Sequence, residues 1–216
     1  MASGSSQPLD DYSDTERAIF DAALHEFARK GRDGARMQAI ADAADINKSM
    51  LHYYFRSKEQ LYEQVFAYTM QRFMQSFGAS LHEAATFKET LRAFIDGYVS
   101  FIQDNRAVVK LMVGENLSGG TLLAEHMGQF RSMEGAPPRI ITNRIETAIA
   151  EGTVRPVAPE HATLTIVSSC LFFFVMEPTV RVFAPAAHDD WPAFVEARKT
   201  HIFDLIYHGL APRDAS

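Results

Sequence analysis

Apolar residues recur at intervals of three and four along most of the chain, which is the period of an amphipathic α-helix. The first such helix begins at Ser13, because Ser13 and Glu16 have the spacing of a capping box. Gly31, with the help of Gly34, is predicted to end it, since glycine readily adopts the conformation that terminates helices. Ser57 and Gln60 form a second capping-box signature, which opens a long connecting helix.

The same period predicts helices along the rest of the chain, and no run of residues alternates convincingly with a period of two. Residues 171–175 alone could pass for a strand, but their helical neighbours and the length of the apolar segment decide against it. The predicted fold class is therefore all-α. Its helices cover about 13–31, 37–44, 47–53, 57–80, 87–104, 106–117, 121–132, 137–151, 159–183 and 191–208.

The most apolar segment, residues 162–176, lies in the helix that follows Pro159. A membrane span needs about 20 consecutive apolar residues. This segment is shorter, contains four hydroxyl side chains and stops at Glu177-Pro178, so it is not expected to cross a membrane. A helix that is apolar on nearly every face must be covered on nearly every side.

The final helix carries a second broad apolar stripe. Two such helices from each of two protomers can form a four-helix interface in a symmetric homodimer. The residues expected at this interface are Leu171, Val175, Trp191, Phe194, Val195, Ile202, Leu205 and Ile206. The alternative is that both helices are simply internal core.

Composition restricts the class of protein only broadly. Apolar residues make up 47% of the 216 residues and charged residues 22%, as in ordinary globular proteins. A single cysteine excludes an internal disulfide framework and fits a reducing, cytoplasmic location. Residues 1–12 are small and polar without an apolar stretch, so we expect a disordered arm rather than a signal peptide.

Residues 36–58 read as two short helices joined by a tight turn, the second with a polar face. A helix reads base edges by lying in the major groove, and it needs a second helix to hold it there. The formal net charge is −6, yet residues 29–58 hold seven basic side chains against three acidic ones. The local excess of basic side chains therefore favours double-stranded DNA as a partner, although the net charge of the whole chain is negative.

The first 70 residues resemble the DNA-binding domain of the TetR family of bacterial transcriptional repressors. The resemblance rests on Ile40-Ala41, on Ala44, on Ile46 after the turn, and on the run LHYYFRSKEQL from Leu51 to Leu61. The aromatic-rich part of this run, followed by a basic residue, Ser, Lys and Glu, is its most specific element.

The resemblance implies about nine helices in two parts: an N-terminal three-helix, helix-turn-helix domain and a C-terminal helical ligand-binding and dimerisation domain. We place the first at residues 13–57, extended by the connecting helix 57–80, and the second at 81–210. The resemblance also implies a ligand-responsive repressor that binds a palindromic operator as a homodimer. A small, mostly apolar or amphipathic effector would release the DNA.

The resemblance and side-chain chemistry together predict the DNA contacts. Lys48 can reach guanine or a phosphate, Met50 can pack on a thymine methyl, and tyrosine hydroxyls can bind phosphates. Tyr54 could equally be core, whereas Leu51 and Phe55 should face the first helix. The expected DNA-binding residues are Arg36, Gln38, Asn47, Lys48, Ser49, Met50, His52, Tyr53, Tyr54 and Lys58.

Three positions depart from the family pattern. Asp45 occupies the turn where glycine is usual, and aspartate tolerates the left-handed conformation better than most residues. Arg36 stands where a hydroxyl usually caps the second helix, and we expect it to meet a phosphate instead. Arg32 stands where an aromatic residue is common.

The effector pocket is expected to be lined by aromatic and methionine side chains, which adapt to irregular shapes. Core packing is the alternative for each candidate. Glu177 could select a cationic or hydrogen-bonding effector or pair with Arg181, and Glu115 and His126 are weaker polar candidates. The candidates are Phe94, Tyr98, Phe101, Met112, Met127, Phe130, Phe172, Phe173, Met176 and Glu177.

Catalytic and metal-binding signatures are not recognisable in the sequence. His25-Glu26 and His82-Glu83 begin like a zinc-protease motif, but the second histidine is missing from both. We therefore expect no enzyme, no metal and no cofactor. Two alternatives remain: a small-molecule-binding helical protein whose helix-turn-helix is vestigial or contacts proteins, and an all-α enzyme using Glu177 or His126.

Overall fold

The structure is a computed structural model that describes residues 9–76, 81, 83–132 and 136–212. Within these residues it contains twelve α-helices, a short 3-10 turn at Leu9–Asp11 and no strand, which confirms the all-α fold class. The helices are α1 (Asp14–Gly34), α2 (Met37–Ala43), α3 (Lys48–Tyr54), α4 (Lys58–Gln75), α5 (Phe87–Asp104), α6 (Arg106–Leu117), α7 (Thr121–Ser132), α8 (Pro137–Ala150), α9 (Pro159–Val175), α10 (Glu177–Phe183), α11 (Pro185–Asp189) and α12 (Trp191–Leu210).

The arm predicted at residues 1–12 is only partly covered by the structure. Its residues 1–8 lie outside the described residues. Its last residue, Tyr12, packs edge-on against Phe20 of α1, with the ring centres 5.1 Å apart. The end of the predicted arm is therefore tied to α1.

The ends of α1 follow the predicted signals. The Glu16 amide donates to Ser13 Oγ at 3.2 Å, and the Ser13 amide donates to Glu16 Oε2 at 2.9 Å, so the capping box is complete. Gly31 has φ 69° and interrupts the regular helix before the last residues of α1. Only glycine adopts this conformation at little steric cost, which is why the helix changes direction there.

The predicted helix from Pro159 to Phe183 is wrong in its second half. The structure ends α9 at Val175 and starts α10 at Glu177, with an angle of 82° between the two. Pro178 explains the break, because its ring clashes with the carbonyl four residues earlier and it lacks an N–H for a continuous helix. This break and the short α11 raise the ten helical ranges predicted from periodicity to the twelve helices of the described residues, where the family resemblance implied about nine.

Among the described residues, no single helix is both long enough and apolar enough to cross a membrane. The bent pair of α9 and α10 meets those length and composition criteria only when the two helices are taken together.

The chain packs as two compact units that interleave in sequence. The first unit combines the described residues up to Phe73 with Asn105–Gly128. In it, α1 packs against α2 and α6, and α2 against α3. Its core includes the fully buried side chains of Phe20, Ile40, Leu51, Leu61 and Phe66.

The second unit combines residues 74–104 with 129–216, as far as they are described. Here α5 packs against α8, α9 and α12, and α9 also packs against α8 and α12. Its core includes Phe94, Ile145, Ile166, Val195 and Ile202. Residues 105–128, which were expected in the C-terminal domain, thus pack with the helix-turn-helix.

Candidate nucleic-acid interface

The turn between α2 and α3 is built by three local features. Asp45 adopts φ 54°, the left-handed conformation expected for the position where glycine is usual. The Ile46 amide donates to the Ala41 carbonyl at 3.0 Å, which closes the turn. Asn47 then caps α3, because its Oδ1 accepts the Met50 amide at 2.7 Å.

The inner face of α3 fixes the helix against the first unit's core. Leu51 is 0% exposed and Phe55 is 2% exposed, as predicted, and the Phe55 ring lies 5.6 Å from that of Phe20 on α1. Aromatic packing of this kind orients α3 through its buried side.

The outer face of α3 presents polar and aromatic side chains to solvent. Lys48, Ser49 and His52 are exposed, and Tyr53 is 84% exposed. Because Tyr53 is so exposed, its ring and hydroxyl contribute little to the core of the unit.

Met50 and Tyr54 lie at the edges of this outer face. Met50 is 41% exposed and Tyr54 is 37% exposed. The Tyr54 ring lies 5.8 Å from Tyr53 and 6.2 Å from Phe55, so it combines partial core packing with surface access.

Two predicted contact residues, one on α2 and one at the start of α3, already have side-chain hydrogen bonds within the protein. Asn47 serves as the cap of α3, and the Gln38 amide donates to Asp42 Oδ1 at 2.7 Å on the same face of α2. Arg36 is exposed and is the N-cap residue of α2, but its side chain makes no capping hydrogen bond.

Lys58, at the start of α4, is half-buried and differs from the other predicted contact residues. Its Nζ donates to the Asp33 carbonyl at 2.8 Å and to the Ala35 carbonyl at 3.4 Å. It therefore joins the first turn of α4 to the connection between α1 and α2.

Other charged side chains near residues 36–58 also have partners within the protein. Arg29 pairs with Glu26, and the Arg32 guanidinium lies 5.6 Å from the centre of the Tyr62 ring. The cation–π contact explains how arginine fits where an aromatic residue is common. The pKa of the Glu59 carboxyl is lowered, first by its own backbone N–H and then by Ser57, with Lys58 and Arg32 adding to the effect.

Glu115 and Tyr62 form a buried polar contact that was not predicted from the sequence. Glu115 is 6% exposed, and its Oε2 accepts the Tyr62 hydroxyl at 3.0 Å while Oε1 accepts the Leu122 amide at 3.1 Å. Burial, followed by the hydrogen bond to Glu115, raises the pKa of Tyr62. The only sequence signal was a glutamate inside an apolar helix, which is equally compatible with a ligand contact.

The predicted effector residues are divided between the two units. Met112 and Met127 are half-buried in the first unit. In the second, Phe94 stacks on Tyr98 at 5.6 Å, Phe173 packs on Phe174 at 4.1 Å, and Phe172 is 64% exposed. Phe101 and Met176 are half-buried there, and the Phe130 side chain lies outside the described residues.

Glu177 is paired with Arg181, as one of the two alternatives for it predicted. The Arg181 Nε and Nη2 atoms lie 2.9 and 2.8 Å from Glu177 Oε1. Arg181 also donates to the Ala187 carbonyl and lies 4.7 Å from the centre of the Trp191 ring. The carboxylate thus pairs with the Arg181 side chain on the same helix, and Arg181 contacts α11 and α12.

A groove of about 630 Å³ lies in the second unit and contains none of the predicted effector residues. It is bordered by Arg155, His161, Thr165, Ser169, Leu205 and Leu210, among others. The described residues contain no group of three or more histidine, cysteine or acidic side chains arranged to hold a metal ion. Burial raises the pKa of the lone Cys170 thiol to about 12.

The residues expected at a dimer interface fall into two groups. Trp191, Val195 and Ile202 are at most 8% exposed and are packed inside the protomer. Val175 and Leu205 are exposed, and Leu171, Phe194 and Ile206 are half-buried. Leu164 and Phe172, at 64% exposure each, are apolar surface residues of α9 that the prediction did not assign to the interface.

The geometry defines a helix-turn-helix DNA-binding protein, since α2 and the buried side of α3 hold a polar recognition face outward. The sequence model described as "Bacterial regulatory proteins, tetR family" matches residues 19–65. The one described as "Tetracyclin repressor-like, C-terminal domain" matches residues 88–206, more than half of the chain. The chain therefore belongs to the TetR family of bacterial transcriptional regulators.

Curated relatives cover nearly the whole chain. It is 28% identical to the HTH-type transcriptional repressor NicS of Pseudomonas putida, over 91% of this chain and 92% of that one. It is 26% identical to the HTH-type transcriptional regulator RutR of Escherichia coli K12, over 92% and 91%. Both relatives are named as transcriptional regulators, and neither is named as an enzyme.

Solved structures share the fold. A putative fatty acid metabolism regulator of Clostridium perfringens superposes with a TM-score of 0.71 at 20% identity, covering 91% of this chain and all of that one. AibR, in complex with isovaleryl coenzyme A and operator DNA, gives 0.62 at 21% identity, covering 74% and 86%.

Proposed function

We propose that the protein is a ligand-responsive transcriptional repressor that binds a palindromic operator as a homodimer. The observation that carries the proposal is the outer face of α3, where Lys48, Ser49, His52 and Tyr53 are exposed while Leu51 is completely buried. This division is what a helix needs in order to enter the major groove.

Lys48 and Ser49 offer hydrogen-bonding groups to base edges at the start of α3, and Met50 offers an apolar surface to a thymine methyl. Tyr53 and Tyr54 offer hydroxyls to phosphates, which position the protein without reading sequence. Arg36 adds a cation at the start of α2, and Gln38 and Asn47 act mainly by ordering α2 and α3. Lys58, the last residue of the predicted set, has its ammonium engaged within the protein.

The dimer is supported by exposed apolar side chains on α9 and α12 of the second unit. Leu164, Phe172, Val175 and Leu205 are 36–64% exposed. Burying them against a second copy would recover their hydrophobic free energy and form a two-fold interface. Two recognition helices related by that axis match a palindrome.

The effector is proposed to be a small, mostly apolar or amphipathic molecule. The candidates for contact with it are buried aromatic residues such as Phe94 and Tyr98 in the second unit and the half-buried Met112 and Met127 in the first. AibR, a relative in fold, has been crystallised together with both an acyl coenzyme A and operator DNA. A ligand shifts DNA affinity only if it binds the two conformations differently.

A mobility-shift titration on the DNA upstream of the protein's own gene tests the function. We expect a specific complex that survives excess random competitor and that is lost in Lys48→Ala and in Tyr53→Ala. Lys110→Ala is the matched control, because Lys110 is an exposed lysine on α6, outside the motif. A folded protein that binds this DNA and random DNA equally at moderate salt would refute the repressor and favour a vestigial helix-turn-helix.

A further inference from the structure

One face of α9 is exposed along the whole length of the helix. Apart from Glu160 in the first turn, its exposed residues are His161, Leu164, Thr165, Ser168, Phe172 and Val175. At 3.6 residues per turn they fall within a stripe about 100° wide, the α9 stripe. The stripe is symmetric in sequence about Ser168, because Leu164 and Phe172 lie four residues before and after it.

The hydroxyl groups on the α9 stripe already have hydrogen-bond partners in their own helix. Ser168 Oγ donates to the Thr165 carbonyl at 3.1 Å, and Thr165 Oγ1 donates to the His161 carbonyl at 2.9 Å. A polar group with a partner inside the protein loses little when water is removed from it. The stripe can therefore be covered at low cost, while burial of Leu164 and Phe172 is favourable.

A two-fold axis that passes Ser168 at right angles to α9 makes the helix and its copy antiparallel. In such an interface residue i contacts residue j of the partner, and j contacts i. Leu164 then faces the partner subunit's Phe172, and Phe172 faces the partner subunit's Leu164. Ser168 meets its own copy, and its small side chain allows the two helices to approach closely.

The groove of about 630 Å³ lies at the start of α9. His161 and Thr165 border it on α9, and Leu205 borders it on α12. The Arg155 guanidinium at its edge donates to the Gly209 carbonyl at 2.8 Å, so this cation already has a partner. Most of the other bordering residues are apolar, which favours an apolar occupant.

The end of α10 is an apolar tip that projects into solvent. Val182 is 86% exposed and Phe183 is 88% exposed. The tip is held firmly, because Arg181 pairs with Glu177 and lies 4.7 Å from the centre of the Trp191 ring. Exposed apolar groups on a fixed element are typical of a contact surface.

We propose that α9 pairs antiparallel with its copy around Ser168, and that the α10 tip of each protomer, Val182 and Phe183, fills the groove of the partner subunit. The pairing brings the end of one α9, where α10 begins, beside the start of the other, where the groove lies. The seven residues of α10 span about 10 Å, so the tip reaches across the groove. The inference rests on the homodimer of the proposed function and deepens it by naming its axis and the occupant of the groove.

Oxidative cross-linking of the full-length protein tests the antiparallel pairing. Ser168→Cys should form a disulfide-linked dimer, because the Cα atoms of a disulfide lie within about 7 Å and a residue on the axis meets its own copy. Thr165→Cys is the matched control: it is exposed on the same stripe, but its copy is displaced by six residues, about 9 Å along the helix. The native Cys170 is 0% exposed and gives no background.

We expect Ser168→Cys to cross-link at least about tenfold faster than Thr165→Cys. Equal rates, or a faster reaction of Thr165→Cys, would overturn the pairing around Ser168.

A double-mutant cycle on the dimer dissociation constant tests the α10 tip. The variants are Phe183→Ala, Leu205→Ala and the double variant, measured by sedimentation velocity of labelled protein. Within one protomer α10 contacts the start of α12 at Trp191, and Leu205 lies fourteen residues, about 21 Å, further along α12. Coupling between Phe183 and Leu205 therefore reports a contact between two chains.

Phe183→Ala should raise the dissociation constant about 100-fold or more, because the contact is lost twice in a two-fold dimer. The double variant should raise it by less than the product of the two single effects. Phe183→Ala combined with Leu164→Ala is the control cycle and should give the full product. An additive Phe183–Leu205 cycle, or no effect of Phe183→Ala, would overturn the role of the tip and leave the groove to another occupant.

Failure of this inference and failure of the proposed function give different results. A wild type that is monomeric refutes the homodimer itself. A dimeric wild type in which Ser168→Cys does not cross-link, or in which the Phe183–Leu205 cycle is additive, refutes only the arrangement proposed here.

Discussion

At the scale of single residues, Asp45 is the position where the motif carries the most local strain. Its φ of 54° lies in the left-handed region, which costs an ordinary residue about 1–2 kcal/mol. Aspartate reduces this cost through local hydrogen bonding of its side chain but does not remove it. The turn therefore forms with aspartate in place of glycine, and some free energy remains to be gained there.

Asp45→Gly should raise the free energy of unfolding by up to about 1 kcal/mol, because glycine adopts this conformation without a Cβ clash. Asp45→Val should lower it by a similar or larger amount, since branched side chains tolerate a positive φ poorly. Urea unfolding followed by circular dichroism measures both variants. A glycine variant less stable than the wild type would show that the Asp45 side chain stabilises the turn by more than the backbone strain.

At the scale of helices, the contact between α4 and α6 joins the helix-turn-helix to residues far away in sequence. The Tyr62 hydroxyl donates to Glu115, whose other oxygen accepts the first-turn amide of Leu122 on α7. A buried carboxylate that loses a donor has no water to replace it. The Glu115 carboxylate on α6 therefore links to α4 through the Tyr62 hydroxyl and to α7 through the Leu122 amide.

Tyr62→Phe should lower the free energy of unfolding by roughly 1–3 kcal/mol, the cost of leaving a buried acceptor unsatisfied. The ring itself still fills its place against Phe27, 4.9 Å away. Tyr207→Phe, which removes a tyrosine hydroxyl from α12, serves as the control and should change stability by less than about 0.5 kcal/mol. Equal effects of the two substitutions would show that the Glu115 contact contributes nothing specific.

His126 on α7 provides a test by pH. Its ring lies 5.6 Å from that of Phe66, and burial lowers its pKa, with Glu125 opposing the effect. The unfolded chain therefore binds more protons than the folded chain near and below the ordinary histidine pKa of about 6.5. Stability contributed by neutral His126 is present above that pH and is lost as the pH falls.

The free energy of unfolding should fall between about pH 7.5 and 5.5, and it should fall less in His126→Gln than in the wild type. His25→Gln, on α1 in the same unit, is the control and should retain the wild-type pH dependence. A His126→Gln variant with the same pH dependence as the wild type would show that His126 does not cause the loss of stability at low pH.

Helix periodicity predicted most elements because each helix buries a continuous apolar face. It placed 87–104, 106–117 and 121–132 at their observed bounds. It missed the break at Met176 because the apolar pattern continues beyond it, even though Pro178, which explains the 82° bend, is visible in the sequence. It also missed the Tyr62–Glu115 bond, since no local pattern encodes a contact between residues 53 positions apart.

The candidate DNA-binding site was also predicted only in part: the exposure of its side chains was predicted, and its contacts between helices were not. Exposure of the outer α3 residues and burial of Leu51 and Phe55 were readable from the family run and from helix spacing. The engagement of Lys58 with two carbonyls was not, because it depends on how the end of α1 meets the start of α4. Contacts between elements are set by tertiary packing, which the sequence shows only indirectly.

At the scale of the whole molecule, the proposed function requires two copies of the chain. The α9 surface exposes 64% of both Leu164 and Phe172, which is unfavourable in an isolated protomer. Burying one phenylalanine side chain stabilises an interface by about 1.5–3 kcal/mol. In a two-fold dimer each interface residue occurs once in each protomer, so its contribution is made twice.

Phe172→Glu should convert the dimer into folded monomers at micromolar concentration, because it places a charge in the apolar interface. Leu117→Glu is the matched control: Leu117 is 81% exposed in the first unit, and the variant should remain dimeric. Sedimentation velocity gives the masses. A dimeric Phe172→Glu variant would show that the two-fold contact lies elsewhere on the protein. A monomeric wild type would refute the dimer itself.

The central claim is that this chain reads a palindrome with two outward-facing α3 helices, and footprinting on the DNA upstream of its own gene tests it most directly. We predict protection of two inverted half-sites whose centres are separated by one helical turn, about 34 Å, or a multiple of it. The protection should disappear in Lys48→Ala and persist in Lys110→Ala. Protection without inverted half-sites, or no protection by a folded dimer, would contradict the claim.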